Sequence, residues 1–150
     1  GYHITPHIVK EVDGLELNIA NSNIKKIQSG IDSMHFEKVV EAMFQVVEKG
    51  TGTKSKIEGI EVCGKTGTVQ NPHGDDHSTF IAFAPKDNPQ IAISVYVENG
   101  YWGSRWAAPI AGLMIEEYIR DSISRPFIEK QMLEGDLIHP KKVLITNAQE

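Results

Sequence analysis

A single cysteine, Cys63, stands in the 150 residues, so no internal disulfide can form and the fold must hold by packing. No apolar run approaches the roughly 18 residues of a helical membrane span. Lysine and arginine never gather into a basic patch, and the net charge is −5. Nonspecific nucleic-acid binding is therefore excluded. A pair such as Lys141-Lys142 reads as a solvated tail. There is no repeat, no low-complexity tract and no leader pattern. The chain opens Gly1-Tyr2-His3-Ile4 without an initiator methionine, which points to a piece cut from a longer protein. A missing leader then says nothing about the parent. What remains is ordinary for a soluble globular chain: 40% hydrophobic, 23% charged, and long enough for one domain with a sizeable core.

The elements follow from periodicity. Residues 2–10 read as an extended segment interrupted by Pro6. Asp13-Gly14 marks a tight turn, with Leu15–Ile19 as the return strand of a hairpin. Residues 20–33 are polar and read as a loop. Phe36, Val39, Val40, Met43, Phe44 and Val47 form one apolar stripe and predict a core-packing helix over 34–49. Asp32 or Ser33 would cap it, and Gly50 would end it in a left-handed conformation. Thr51–Lys56 reads as a flexible polar loop. Three strands are predicted next, over 59–70, His77–Ala84 and Ile91–Val97. Their connections are too short for parallel crossovers, so they are antiparallel neighbours. A second helix runs from about Ser104 to Arg120, with a stripe of Ala107, Ile110, Ala111, Met114 and Tyr118 and Pro109 in its first turn. Residues 127–135 allow a short helix, and Lys142–Thr146 a strand or ordered tail. The class is α+β: an antiparallel sheet of three or more strands with two long amphipathic helices packed on it.

The chemistry concentrates in Lys65-Thr66-Gly67-Thr68, inside a strand-like run. A lysine supplies fixed positive charge, two threonines donate hydroxyl hydrogen bonds, and glycine lets another molecule approach the backbone. Such a strand can hold a carboxylate and support an oxyanion. The bland alternative is a snorkelling lysine among turn-prone glycines. Alternation puts Thr66 and Thr68 on one face and Lys65 on the other, so sharing a cleft needs a bulge near Gly67 or an edge position. His73-Gly74-Asp75-Asp76-His77 has ligand types at close spacing, but a hydrophilic hairpin loop explains it better than a metal. Cys63 reads as a buried small hydrophobe. Tyr101, Trp102 and Trp106 read as packing at a helix entry rather than a stacking surface.

The wider string resembles the transpeptidase domain of class B penicillin-binding proteins, of the cell-elongation type called penicillin-binding protein 2. The resemblance rests on Gly64-Lys65-Thr66-Gly67-Thr68-Val69-Gln70, then His77 and Phe80 within His-Ser-Thr-Phe-Ile-Ala-Phe-Ala-Pro, and Asn88–Ile93. Glu98-Asn99-Gly100 and Ala107–Ala111 follow, with Pro6–Lys10 and Met43–Val47 upstream. It covers residues 1–120 and is most specific over 58–119; residues 121–150 are left as a C-terminal tail. It implies part of a penicillin-binding, β-lactamase-like transpeptidase fold. It also implies roles. Lys65 would organise the site electrostatically. The hydroxyls of Thr66 and Thr68, beside Gly67, would hold the carboxylate of an acyl donor or a β-lactam. The backbone N–H of Thr68 would be half of an oxyanion hole. The implied parent is a membrane-anchored D,D-transpeptidase at the periplasmic face of the bacterial inner membrane. It would cross-link stem peptides ending in D-Ala-D-Ala and be acylated by β-lactams, with no cofactor and no metal.

The departures decide what the chain itself can do. The family's nucleophile lies in a serine-x-x-lysine motif, followed by serine-x-asparagine. No serine-x-asparagine occurs here. The formal match Ser22-Asn23-Ile24-Lys25 lies in a polar loop without the long apolar helix that would hold a base within reach of the serine. Thr79 stands where the family often has tryptophan. The chain alone is therefore expected to be soluble and inactive, and to pair with a second copy through an uncovered sheet edge. Two other readings stay open: a noncatalytic carboxylate- or muropeptide-binding module, and a penicillin-recognising sensor.

Overall fold

The computed structural model describes residues 1–6, 11–12, 15–16 and 26–137. The expectations for Pro6–Lys10 beyond Pro6, Asp13-Gly14, Leu17–Ile19, Ser22–Lys25 and Lys142–Thr146 lie outside them. The chain divides into two compact units, Gly1–Val39 and Val40–Glu150.

In the first unit β1 (Tyr2–Ile4) pairs antiparallel with β4 (Lys26–Gln28), and β2 (Glu11–Val12) with β3 (Leu15–Glu16). The β2–β3 pair is the hairpin that the turn dipeptide predicted. β4 falls inside the stretch read as loop. Its Lys-Ile-Gln sequence has too few residues to show alternation, and its partner lies far away in sequence.

Helix α1 (Ser33–Lys49) begins in the first unit and continues in the second. Asp32 caps it: its Oδ1 accepts the Met34 N–H at 2.9 Å. The predicted stripe is not buried along its length. Val47 is buried, Val40, Met43 and Phe44 are half-buried, while Phe36 and Val39 are exposed. Gly50 ends the helix without a left-handed conformation. The amides of Gly50 and Gly52 instead both donate to Val46 O, at 3.1 and 2.9 Å, folding the chain back on the helix end. The next residues are not a flexible loop but a 3-10 turn, Thr53–Ser55, with buried Ser55 donating to Gly52 O.

The second unit is built on a sheet of order β5-β6-β7: β5 (Cys63–Val69), β6 (His77–Ala84) and β7 (Ile91–Val97), all antiparallel. β6 and β7 have the predicted bounds. β5 is shorter than 59–70, because Ile57 and Ile60 form an isolated bridge before it. Directly paired residues share a face. One face carries Thr66 and Thr68, then Ser78, Phe80, Ala82 and Ala84, then Ile91, Ile93, Val95 and Val97. That face packs on α2 (Ala107–Arg120), and the core of Val62, Phe80, Ala82, Ala84, Ala107, Ala108, Ala111 and Ile115 lies there. The opposite face leaves Ile81 and Tyr96 exposed.

The buried stripe of α2 is rotated from the predicted one. Ala108, Ala111, Gly112 and Ile115 face inward, whereas Met114 and Tyr118 are exposed. The small residues decide this. A Cβ on Gly112 would lie 2.8 Å from Ser55 Cα, so the helix sits closer than Met or Tyr would allow. α3 (Pro126–Leu133) packs on α2. Between them buried Glu116 accepts from Arg125 Nε at 2.9 Å and from Ser124, with Arg120 Nη1 at 3.4 Å. Burial raises the Glu116 pKa, but the bonds from Ser124 and Arg125 outweigh it and leave the carboxyl below its usual range. No helix among the described residues is long and apolar enough to cross a membrane.

Candidate functional site

β5 is an edge strand, and its ladder to β6 runs without a bulge from Cys63 to Val69. Alternation therefore holds through Gly67. Thr66 opposes Phe80 and Thr68 opposes Ser78, on the α2 face, while Lys65 opposes Ile81 on the other. The two hydroxyls share one cleft, and the lysine side chain starts outside it. The Lys65 ammonium donates to the backbone of the neighbouring residue, Thr66 O, at 2.7 Å. Amides and carbonyls of alternating residues point the same way along a ladder. The Thr68 N–H thus points the same way as the Thr66 carbonyl, which accepts from Lys65. Of the four residues singled out in the sequence, the fold brings Thr66, Gly67 and Thr68 to one wall, while Lys65 does not line the cleft and bonds the Thr66 carbonyl.

The cleft holds about 300 Å³ and is lined by Thr51, Thr66, Gly67, Thr68, Trp102, Gly103 and Ser104. Its far wall is the loop before α2. That loop is pinned to β6 by Ser78, which is fully buried. Ser78 Oγ donates to Trp102 O at 2.9 Å and accepts the Ala107 N–H at 3.1 Å. Gly103 lies directly on the strands, where an added Cβ would meet Thr79 O at 2.3 Å and Gly67 O at 2.7 Å. Trp102 is 68% exposed, so the expectation of core packing does not hold for it. Trp106 is half-buried against Gly135.

The near end of that loop is held in an unusual backbone state. Asn99 and Tyr101 have φ of 54° and 60°, in the left-handed region. The hairpin loop between β5 and β6, with Asn71, Asp76 and His77, supplies the anchors. Tyr101 N donates to Asp76 O at 2.7 Å, Asn99 N to His77 Nδ1 at 3.0 Å, and Asn71 Nδ2 to Asn99 Oδ1 at 3.1 Å. A hydrogen bond to the Asp75 carboxylate pushes the Tyr101 pKa up. The hairpin loop thus ties β5, β6 and the cleft wall together. Cys63 is fully buried, and burial pushes its thiol up to about 11.

A larger cavity of about 840 Å³, lined by residues such as Glu48, Ile57, Glu61 and Arg125, contains none of the motif residues. Three cleft residues escaped the sequence reading, Thr51, Gly103 and Ser104, and Trp102 lines the cleft where the sequence points to helix-entry packing. Glycines flanking Thr51 were the available signal, since two in three residues mark a backbone that must approach something closely.

A family profile described as the penicillin binding protein transpeptidase domain matches residues 1–116. Among curated relatives, the peptidoglycan D,D-transpeptidase MrdA of Acinetobacter baumannii is 32% identical over 119 residues, covering 69% of this chain and 18% of its own. Among solved structures, Pseudomonas aeruginosa PBP2 in complex with WCK 5153 aligns with a TM-score of 0.66 at 34% identity, over 81% of this chain and 27% of that one. Penicillin-binding protein A of M. tuberculosis, as a ceftriaxone acyl-enzyme complex, aligns with a TM-score of 0.62 at 31% identity, over 77% of this chain and 28% of that one. The chain thus spans roughly a fifth to a quarter of the length of such relatives. These likenesses bear out the resemblance to class B penicillin-binding proteins of the PBP2 type and the α+β transpeptidase fold. From its first strand to the body of α2, the chain belongs to the penicillin-binding protein transpeptidase domain family.

Proposed function

We propose that residues 1–120 form the C-terminal portion of a peptidoglycan D,D-transpeptidase domain, with 121–150 as its tail, and that β5 is the carboxylate-gripping half of the active site. One observation carries this: Thr66 and Thr68 open onto a single cleft on an unpaired strand edge, and the Lys65 ammonium is bonded to the carbonyl of Thr66. In the reaction a serine oxygen attacks the carbonyl between the two terminal D-alanines, the C–N bond breaks, and the last D-alanine leaves. The chain's share is to hold that residue's carboxylate with two hydroxyls and a nearby cation, and to offer the Thr68 N–H to the oxyanion. The serine belongs to the rest of the whole protein, because neither a serine-x-asparagine motif nor a helix-borne serine-x-x-lysine is read in this sequence. The whole protein would act at the outer face of the inner membrane and bind β-lactams at the same place. A relative's name supports the transpeptidase reaction, and the acyl-enzyme complex of another supports the β-lactam binding.

Calorimetric titration of the chain with an acetylated D-alanyl-D-alanine peptide tests it. Saturable binding is expected, weakened about ten- to a hundredfold in Lys65→Ala, the scale of a lost charge-assisted contact. Wild-type affinity in Lys65→Ala and in Thr66→Val would remove the cleft from the account.

A further inference from the structure

Thr51 sits across the cleft from β5, on the turn that follows α1, and its Oγ1 lies 2.7 Å from Thr66 Oγ1. The turn that presents it is rigid for a stated reason. Gly50 and Gly52 flank it, and both amides donate to the one carbonyl of Val46. A side chain is excluded at Gly50 and would be tightly pressed at Gly52. A Cβ at Gly50 would lie 2.9 Å from the Val46 backbone, and one at Gly52 would lie 3.2 Å from Val46 O and 3.3 Å from the Phe80 ring. The backbone of the residue between two such glycines is held against the helix end, and its hydroxyl is held by Thr66.

Resting on the carboxylate-gripping reading above, we propose that Thr51 is a positioning residue that sets the direction of the Thr66 hydroxyl proton. In a pair of hydroxyls one donates and the other accepts, and either order is open at 2.7 Å. A carboxylate only accepts. When one binds, Thr66 must spend its single proton on it, and Thr51 must donate to Thr66 Oγ1. The pair then forms a chain, Thr51 O–H to Thr66 to carboxylate, in which each bond polarises the next. A terminal carboxamide can donate as well as accept, so it gains nothing from that fixed order. Thr51 thus tunes the cleft for a carboxylate over its neutral isostere.

The test compares two peptides on the 150-residue chain: acetylated D-alanyl-D-alanine and its C-terminal amide. The Thr51–Thr66 bond is present with and without ligand. In Thr51→Val, affinity for the carboxylate should therefore fall about 1.5- to fourfold, the scale of the polarisation one hydroxyl adds to a hydrogen bond to a charged group. Affinity for the amide should stay unchanged, so the carboxylate-to-amide ratio contracts. Thr51→Ser should restore the ratio, which a loss of general packing would not allow. Because Thr51 is exposed, amide NMR spectra of both variants should overlay the wild type away from the cleft. Wild-type carboxylate affinity in Thr51→Val, alongside loss in Thr66→Val, overturns the proposal and leaves the gripping strand standing. No saturable binding by the wild-type chain overturns both.

Discussion

At Gly67 two backbones meet, and much of the site follows from that contact. Gly103 can lie on Gly67 only because Gly103 carries no side chain: an added Cβ would meet the Gly67 carbonyl and amide at 2.7 and 3.0 Å. Gly103→Ala is expected to push the Trp102 loop off the strands and to cost about 1–3 kcal/mol, read by chemical denaturation. An unchanged midpoint would mean that the loop is not seated on Gly67. Cys63 makes a second residue-scale prediction. With its thiol fully buried and pushed up to about 11, iodoacetamide should modify it only after urea unfolds the chain. Rapid labelling of the native protein would contradict its place in the core. The motif residues were legible in sequence because Lys-Thr-Gly-Thr joins charge, hydroxyls and glycine in four positions. For Thr51 the flanking glycines signal a close approach, but its role depends on a hydrogen bond across 15 residues whose partner they do not name.

The elements were legible where one physical rule governed them. Alternation alone placed β6 and β7, since each has one face on the core. In α2 two rules competed. Counting large apolar residues favoured the Met114 and Tyr118 face, and close approach favoured the alanine and glycine face, which is the one that packs. The α2–α3 corner then depends on Glu116. Its folded-state pKa lies below the ordinary 4.5, so its stabilisation is present above the unfolded pKa and is lost as pH falls through the folded value. Stability should therefore decline below about pH 4.5, and Glu116→Gln should flatten that decline. At neutral pH the same change leaves Arg125 short of its carboxylate partner. The expected cost is about 3 kcal/mol, a Tm drop of about 6–12 °C by calorimetry. A Tm within a degree of wild type would show that the ion-pair cluster is dispensable.

Over the whole molecule, the sequence pattern implied α+β architecture, and the three-stranded sheet with α2 on one face carries it. It did not reveal how much apolar surface would stay uncovered. β7 has no partner on its outer edge among the described strands, and Ile81, Tyr96, Phe36 and Val39 are exposed. Unpaired edges and apolar patches recruit other chains. Light scattering of the purified chain is therefore expected to give a mass that rises with concentration toward that of a dimer. A constant monomer mass would set that expectation aside. The central claim, a strand that grips a carboxylate but does not attack its neighbour, is tested most directly by amide NMR of the chain titrated with benzylpenicillin. The account predicts saturable shifts at Thr66, Gly67 and Thr68 that disappear on dialysis. Silence at those three residues, or a covalent adduct that survives dialysis, would contradict it.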